Sequence, residues 1–323
     1  MHVAIIGGAS TIGSTVAYTL ASADPTFEIT LVDKAEEPAW AHAVDVTHSV
    51  FHTVDAPVDG ETAGSLGTVR AVGADEIGDL DPQPDLAVFT AAAPRPDDAT
   101  DTDAREAELE ANRGIVDDVA EQLRSIDPIP ILVMTNPIDR ITYRLWRRLE
   151  WPRGHFLGYS LSETARTAHR IGELRDVDPE TVYCPVMGEH GNGIVPIFSK
   201  LRIDGEPATL SADERADVRE YVREIPFEIA KRRGAAETSR WVTSAGTSRL
   251  IRTIADGGSG DTGTPVCLST PVDGEYGLSE GCLSVPVTLS ADGADEILEW
   301  DLADDERERL AAAHERIRSD LQL

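Results

Sequence analysis

The chain has 323 residues, which is enough for about two domains, and its 58 acidic and 29 basic side chains give a formal net charge of −29. A field this acidic repels nucleic acid and anionic membranes, so neither is expected as a partner. Hydrophobic residues make up 41% of the chain and are interspersed with the acids, which argues against intrinsic disorder.

The compartment follows from the N-terminus, the cysteines and the charge. The opening "MHVAIIGGAS" is too short and too glycine-rich for a membrane span, and it lacks the features of a signal peptide. Cys184, Cys267 and Cys282 are far apart and outside any CxxC spacing, so they indicate neither disulfides nor zinc. A cytoplasmic protein is expected. Its acidic, lysine-poor composition is typical of a salt-loaded cytoplasm, where screening acts over about 3 Å at 1 M salt.

The first predicted elements form a nucleotide-binding unit. "HVAII" is predicted to be a buried strand, a glycine turn follows, and Ile12, Val16 and Leu20 recur at helical spacing. "EITLVD" is a second strand that ends in Asp33. Glycines at such a turn admit a pyrophosphate to the helix N-terminus, and the later acid binds ribose hydroxyls. An acid there disfavours a 2′-phosphate, so the pattern predicts NAD. Ser10 stands where the fingerprint has its middle glycine.

Two further strands end in polar residues. "DLAVFTAAAPRP" leads to Thr90, and "IPILVMTNPID" leads to Thr135 and Asn136. Ligands on open parallel sheets gather at such carboxyl ends. Between them, "RPDDATDTDAREAELEAN" has no apolar periodicity until its helical end and is predicted to be a long polar loop that leads into the helix containing "GIVDDVAEQL". The loop is either a lid over a site or a solvated acidic segment.

The second half contains a candidate catalytic group. In the predicted helix "LSETARTAHRIGEL", Glu163 and Arg166 share a face, a spacing that is usually only a surface ion pair. In "MGEHGNG", glycines beside His190 let another molecule approach the imidazole. If His190 meets the pair, the carboxylate orients the ring and raises its pKa, and the guanidinium can bind a substrate carboxylate.

The remaining features are expected to be structural. Asp45, His48 and His52 have a spacing that can hold a metal, but no further ligand cluster supports it, so no metal site is predicted. The C-terminal region is predicted to alternate strands ("PVCLSTPV", "CLSVPVTLS", "DEILEWD") with a final helix, "DDERERLAAAHERIRSDL".

Taken together, "IIGGASTIG", "LVD", "FTAAAPR", "MTNP", "SETAR" and "GEHGN" resemble, in order and spacing, the lactate and malate dehydrogenase family over nearly the whole chain. The resemblance implies an α/β fold, with a doubly wound Rossmann domain for NAD over residues 1–142 and a mixed α+β substrate domain over 143–323. It also implies a homodimer or homotetramer that interconverts malate and oxaloacetate, a reaction of the tricarboxylic acid cycle.

The same resemblance implies roles for individual residues. His190 would exchange the proton of the alcohol, and Glu163, at a position where the family has aspartate, would orient it. Arg166 would clamp the substrate carboxylate. Arg105 would close with the lid and polarise the carbonyl, and Asn136 would hold substrate and nicotinamide.

Arg95 is the residue most informative about the substrate. Its slot carries arginine in malate enzymes, to pair with the second carboxylate of oxaloacetate, and glutamine in typical lactate enzymes. The residues implied to bind the cofactor are Gly7, Gly8, Ser10, Thr11, Ile12, Gly13, Asp33, Thr90, Ala91, Asn112 and Asn136.

Four departures from the family pattern leave alternatives open. Ser10 and Ala92 replace glycines, Glu163 replaces aspartate, and the segment from Arg95 to Arg105 is longer than in the family. The alternatives are a dehydrogenase of lactate or another 2-hydroxy acid, and a divergent NAD-binding protein with little catalysis.

Overall fold

The computed structural model describes residues 1–53, 66–94, 102–234, 239–258 and 264–321, without the side chains of 102–106. Eleven of the described strands join in one sheet, and three short ones form a second.

The first half of the large sheet is parallel. Its strands are β1 (His2–Ile6), β2 (Glu28–Asp33), β3 (Val69–Gly73), β4 (Leu86–Phe89), β5 (Ile131–Val133) and β6 (Phe156–Gly158). They are ordered β3-β2-β1-β4-β5-β6, so the strand order reverses beside β1. Ligands on such sheets bind at the carboxyl edge near this reversal.

Helices cover both faces of this sheet. They are α1 (Thr11–Ala23), α2 (Glu36–Val50), α3 (Thr102–Leu123) and α4 (Ile138–Leu149). Val3 and Ile5 of β1 pack in the core that contains α1 and α2, whereas Ala4 and Ile6 pack with α3 and α4. Successive side chains of a strand point to opposite faces, so a continuous apolar run is what a doubly covered strand requires.

The second half of the chain mixes helices with mostly antiparallel strands. It contains α5 (Leu161–Arg175), β7 (Val182–Tyr183), β8 (Val186–Gly188), β9 (Ile194–Pro196), β10 (Arg202–Ile203), β11 (Glu206–Pro207), α6 (Ala212–Arg233), α7 (Arg240–Ala255), β12 (Val266–Asp273), β13 (Ser279–Ser290), β14 (Gly293–Ile297) and α8 (Asp304–Leu321). Single 3-10 turns lie at Ile77–Asp79, Arg153–His155, Pro179–Thr181, Phe198–Lys200 and Glu275–Gly277. Strand β12 pairs antiparallel with β6, so the sheet continues without a break from one half into the other.

The predicted fold class, with its parallel cofactor-binding sheet followed by a mixed region, is confirmed. Two local predictions were wrong. Helix α3 begins at Thr102, inside the segment expected to be a loop, because "DAREAELEAN" consists mostly of strong helix formers even though it lacks apolar periodicity. Strand β14 ends at Ile297, short of "EWD", because its ladder with β13 ends at the pair Val287 and Ile297.

The expected domain boundary at residue 142 falls inside α4, and the parallel sheet continues to Gly158. Where the chain divides stays a prediction. No helix within the described ranges combines the length and apolarity that crossing a membrane requires.

Candidate active site

The glycine turn after β1 packs directly against the end of β4. Gly7 has φ +88°, and a Cβ there would lie 2.4 Å from the amide nitrogen of Ala91. A Cβ on Gly13 would lie 2.4 Å from the carbonyl oxygen of Gly7. Only glycine fits these two positions, and the space it leaves brings the backbone of the turn close to whatever binds at the N-terminus of α1.

Ser10 caps α1. Its backbone is extended, with φ −71° and ψ 158°, and its Oγ accepts a hydrogen bond of 3.0 Å from the amide of Gly13. A serine in this position satisfies a free donor of the first helical turn, so the departure from glycine adds a helix cap without backbone strain.

Asp33 binds the glycine turn as well as being available to a ligand. Its Oδ2 accepts from the amide of Ala9 at 2.9 Å, and its Oδ1 accepts from the amide of Ala35 at 2.9 Å. Each carboxylate oxygen keeps a second lone pair that can accept from a ribose hydroxyl. The sequence pattern alone did not indicate these backbone bonds.

Side chains at the ends of β4 and β5 join the neighbouring loops. Thr90 donates to the carbonyl oxygens of Ile6 and Gly7 at 2.9 and 3.0 Å. Asn112, which is buried, accepts from the amide of Ala93 at 2.7 Å and donates to the carbonyl of Asn136 at 2.9 Å. The Asn112 amide therefore fixes the loops after β4 and β5 to each other.

Helix α5 and the loop after β8 bring the three candidate catalytic residues together. The Nδ1 of His190 lies 3.0 Å from Oε1 of Glu163, and Nη1 of Arg166 lies 3.6 Å from the same oxygen. The residue Glu163 is 3% exposed. The two residues on α5 thus form more than a surface pair, because the imidazole meets them in a site largely closed to water.

The contact between His190 and Glu163 has the distance of an ion pair without the alignment of a hydrogen bond. Among the described residues, Nδ1 of His190 and Oε2 of Glu163 have no aligned hydrogen-bond partner. A glutamate is one methylene longer than an aspartate, and at this position it reaches the imidazole from α5.

Electrostatics still favour a charged pair. Burial raises the pKa of Glu163, but the neighbouring imidazole and Arg166 lower it, and the net direction is down. Burial lowers the pKa of His190, but the Glu163 carboxylate raises it, and the net direction is up. A protonated imidazole can donate a proton to an oxygen of a bound molecule. The neighbouring guanidinium can bind a carboxylate of the same molecule.

The start of α4 contacts the histidine loop through residues that sequence reasoning missed. The amide of His190 donates to Oδ2 of Asp139 at 2.9 Å, and Nη1 of Arg140 lies 2.8 Å from Oε1 of Glu189. Asp139 follows Asn136 closely in sequence, so these contacts bring His190 to the carboxyl end of β5. The available signal was a pair of charged residues directly after the buried "ILVMTNP" segment.

Several residues predicted for the site lie away from it or outside the described residues. Arg95 falls outside the described residues, and Arg105 lies in α3 with its side chain also outside them. His52 follows the end of α2, and no group of three potential ligands able to hold a metal occurs in the described part of the chain.

Sequence models of the lactate/malate dehydrogenase family match both halves. The NAD binding domain matches residues 1–158, and the alpha/beta C-terminal domain matches residues 163–323.

Both malate dehydrogenases and lactate dehydrogenases occur among the relatives. A malate dehydrogenase of Halobacterium salinarum is 31% identical over 98% of this chain and 96% of its own. L-lactate dehydrogenase 3 of Bacillus cereus is 28% identical over 98% of this chain and 95% of its own.

Solved structures share the fold. The malate dehydrogenase from Aeropyrum pernix superposes with a TM-score of 0.82 at 21% identity, covering 99% of this chain and 97% of that one. The lactate dehydrogenase from Cryptosporidium parvum, complexed with lactic acid and nicotinamide adenine dinucleotide, gives 0.84 at 23% identity, covering 99% and 96%.

Proposed function

The chain belongs to the lactate/malate dehydrogenase family of NAD-dependent oxidoreductases, and from that membership we propose that it interconverts malate and oxaloacetate. The observation that carries the dehydrogenase chemistry is the meeting of His190, Glu163 and Arg166 in one largely buried cluster. Malate dehydrogenases of Halobacterium salinarum, Haloferax volcanii and Natronomonas pharaonis among the relatives support this choice of substrate.

The residues present fit NAD. A Cβ at Gly7 or Gly13 would fill the space where the turn approaches the α1 N-terminus, and Asp33 keeps lone pairs for the ribose. When bound there, NADH would supply the hydride for the keto carbon. An acid at position 33 disfavours the 2′-phosphate of NADP.

This chain's own residues supply the remaining chemistry. In reduction, protonated His190 gives its Nε2 proton to the carbonyl oxygen as the alcohol forms, and Glu163 stabilises the imidazolium. Arg166 binds the C1 carboxylate, and Asn136 borders the substrate. Arg105 polarises the carbonyl when the lid closes over the cleft, excluding water. In malate oxidation, neutral His190 takes the proton.

Arg95 distinguishes the substrates in this proposal. A guanidinium at that position pairs with the second carboxylate of oxaloacetate, which pyruvate lacks. The second candidate is a dehydrogenase of lactate or another 2-hydroxy acid. L-lactate dehydrogenases among the relatives, at nearly the same identity, favour it.

NADH oxidation in molar KCl tests the proposal, with oxaloacetate and pyruvate assayed side by side and His190→Asn as the blank. Turnover that prefers oxaloacetate, disappears in His190→Asn and loses its preference in Arg95→Gln would support malate. Preference for pyruvate, or indifference to Arg95→Gln, would favour the second candidate. NADH binding without turnover of either acid would contradict catalysis of both.

We also propose that the chain works as a homodimer or homotetramer in a salt-rich cytoplasm. The net charge of −29 and the relatives from Halobacterium and Haloferax support the setting. Tyr18 and Trp241, on the adjacent helices α1 and α7, are 47% and 59% exposed and border one depression, as expected of a subunit contact. Light scattering in molar KCl measures the assembly; a monomer would exclude it.

A further inference from the structure

Two consecutive residues of α4 hold two consecutive residues of the histidine loop. Asp139 accepts from the backbone amide of His190 at 2.9 Å, and Arg140 pairs with Glu189 at 2.8 Å. Asp139, Arg140 and Glu189 are 1%, 3% and 2% exposed. The loop that carries the imidazole is therefore fixed to α4 at two successive positions, away from water.

The two contacts differ in how their charges are balanced. Glu189 is bound by Arg140 and, from α8, by Arg316 at 3.0 Å, while Arg140 also contacts Asp320 of α8 at 2.5 Å. For Asp139, Oδ1 has no aligned hydrogen bond among the described residues.

A buried carboxylate without full hydrogen bonding is costly. An asparagine would accept the same amide bond from His190 without that cost. What the carboxylate adds is a negative charge beside the histidine.

We propose that Asp139 is a positioning residue for His190, which holds the backbone of the histidine loop and places a second carboxylate charge, besides that of Glu163, near the imidazolium. The inference rests on the proposed function, because it assigns Asp139 to the reaction that His190 performs there.

The charged and titratable groups around the pair are few. Arg140 and Glu189 face Asp139, and the Cys282 thiol of β13 lies in its field. Burial raises the pKa of Asp139, whereas Arg140, the Ser269 hydroxyl and His190 lower it, and the net direction is up. On the other side, Glu163 and Arg166 of α5 face His190, and Asp139 is among the groups that raise the pKa of the imidazole.

Asp139→Asn tests the proposal, because asparagine keeps an oxygen acceptor for the His190 amide and removes the charge. The titration of the His190 ring is followed by NMR of histidine-labelled protein, with His190→Asn to assign the signal. The expected result is a fall of the His190 pKa by about one unit, with a parallel shift in the pH profile of keto-acid reduction. An unchanged His190 titration in a folded Asp139→Asn protein would overturn the proposal.

Asp117→Asn is the matched control. Asp117 also contacts basic residues of α4, Arg144 and Arg148, but it is partly exposed. Its removal is expected to leave the His190 titration unchanged in molar KCl, where exposed charges are screened within about 3 Å, whereas the effect of the buried Asp139 persists. An equal shift of the His190 pKa in both variants would show that any nearby negative charge has this effect, and it would contradict a specific role of Asp139.

If Asp139→Asn does not fold, the reciprocal measurement serves. Charge coupling acts equally on both groups, so His190→Asn is expected to raise the pKa of the Asp139 carboxyl, observed by infrared spectroscopy. No change there would overturn the inference. A shifted His190 titration in a chain that reduces no keto acid would refute the proposed function and leave the placement of the Asp139 charge standing.

Discussion

Replacement of Glu163 by glutamine is the sharpest single test of the cluster on α5. Glutamine keeps the length and shape of the side chain and removes only its charge. In the native protein, burial lowers the pKa of His190, and the carboxylates of Glu163 and Asp139 together raise it above its ordinary value. Without the Glu163 carboxylate, burial is a larger influence than the Asp139 charge that remains, so the His190 pKa is expected to fall below its ordinary value of 6.5.

The separation of the two groups sets the magnitude. Two unit charges 3.0 Å apart attract by about 5 kcal/mol at an effective dielectric constant of about 20. Burial is common to both proteins and does not reduce the loss of this attraction, but the amide oxygen of glutamine still attracts the imidazolium by about 2 to 3 kcal/mol and so offsets about half of it. A net loss of about two pKa units is therefore expected, each unit corresponding to about 1.4 kcal/mol. Above both pKa values, reduction should slow by about 100-fold, since only the protonated imidazole donates.

The assay is kcat/KM for keto-acid reduction from pH 5 to 10 in molar KCl. Glu173→Gln is the control, because Glu173 lies on the same helix but is paired with Arg170 and His169 at the surface. The control should leave the profile in place. A profile for Glu163→Gln that coincides with the wild type would refute the reasoning that Glu163 sets the protonation of His190.

Three further predictions concern stability, cofactor binding and salt. Because the folded pKa of His190 is raised, its contribution to stability is complete below 6.5 and is lost as the pH rises through the folded value. Because that of Glu163 is lowered, its contribution is complete above 4.5 and is lost as the pH falls. The melting temperature of Glu163→Gln should therefore fall furthest below that of the wild type between pH 4.5 and 6.5. A difference in melting temperature that does not depend on pH would contradict this. Gly7→Ala should abolish NADH binding measured by fluorescence, because its Cβ would lie 2.4 Å from the amide of Ala91, whereas Gly114→Ala, with nothing within 4 Å, should bind normally and gain up to about 1 kcal/mol of stability. With a net charge of −29, activity and melting temperature should increase between about 0.1 M and 1 M KCl, as the screening length falls from about 10 to about 3 Å, and full activity in low salt would rule out this role of screening.

The sequence was sufficient where local chemistry decides the structure. The alternation of buried strand, glycine turn and helix around Gly7 reflects backbone rules that act within a few residues, and the structure has the elements in that order. The carboxyl ends of β4 and β5 followed from the same reasoning. Glu163 and Arg166 share a helix face because helical spacing requires it.

The features that sequence missed depend on contacts between distant segments. The bond from His190 to Asp139 spans 51 positions, and nothing in either local pattern indicates the other. Ser10 was recognised as a departure, but its action as a helix cap depends on where α1 begins. For α3, periodicity was the wrong signal, because intrinsic helix preference governs a polar helix.

Strand β6 has a consequence for how the molecule moves and unfolds. It pairs with β5 on one side and, through Gly158 and Ser269, with β12 on the other, and a Cβ at Gly158 would lie 2.7 Å from that of Ser269. The two halves therefore share a strand pairing at a tight seam. Rigid-body opening of one half against the other at this seam would break that pairing. Amide exchange should find the strands on both sides of the seam opening together, as one cooperative unit.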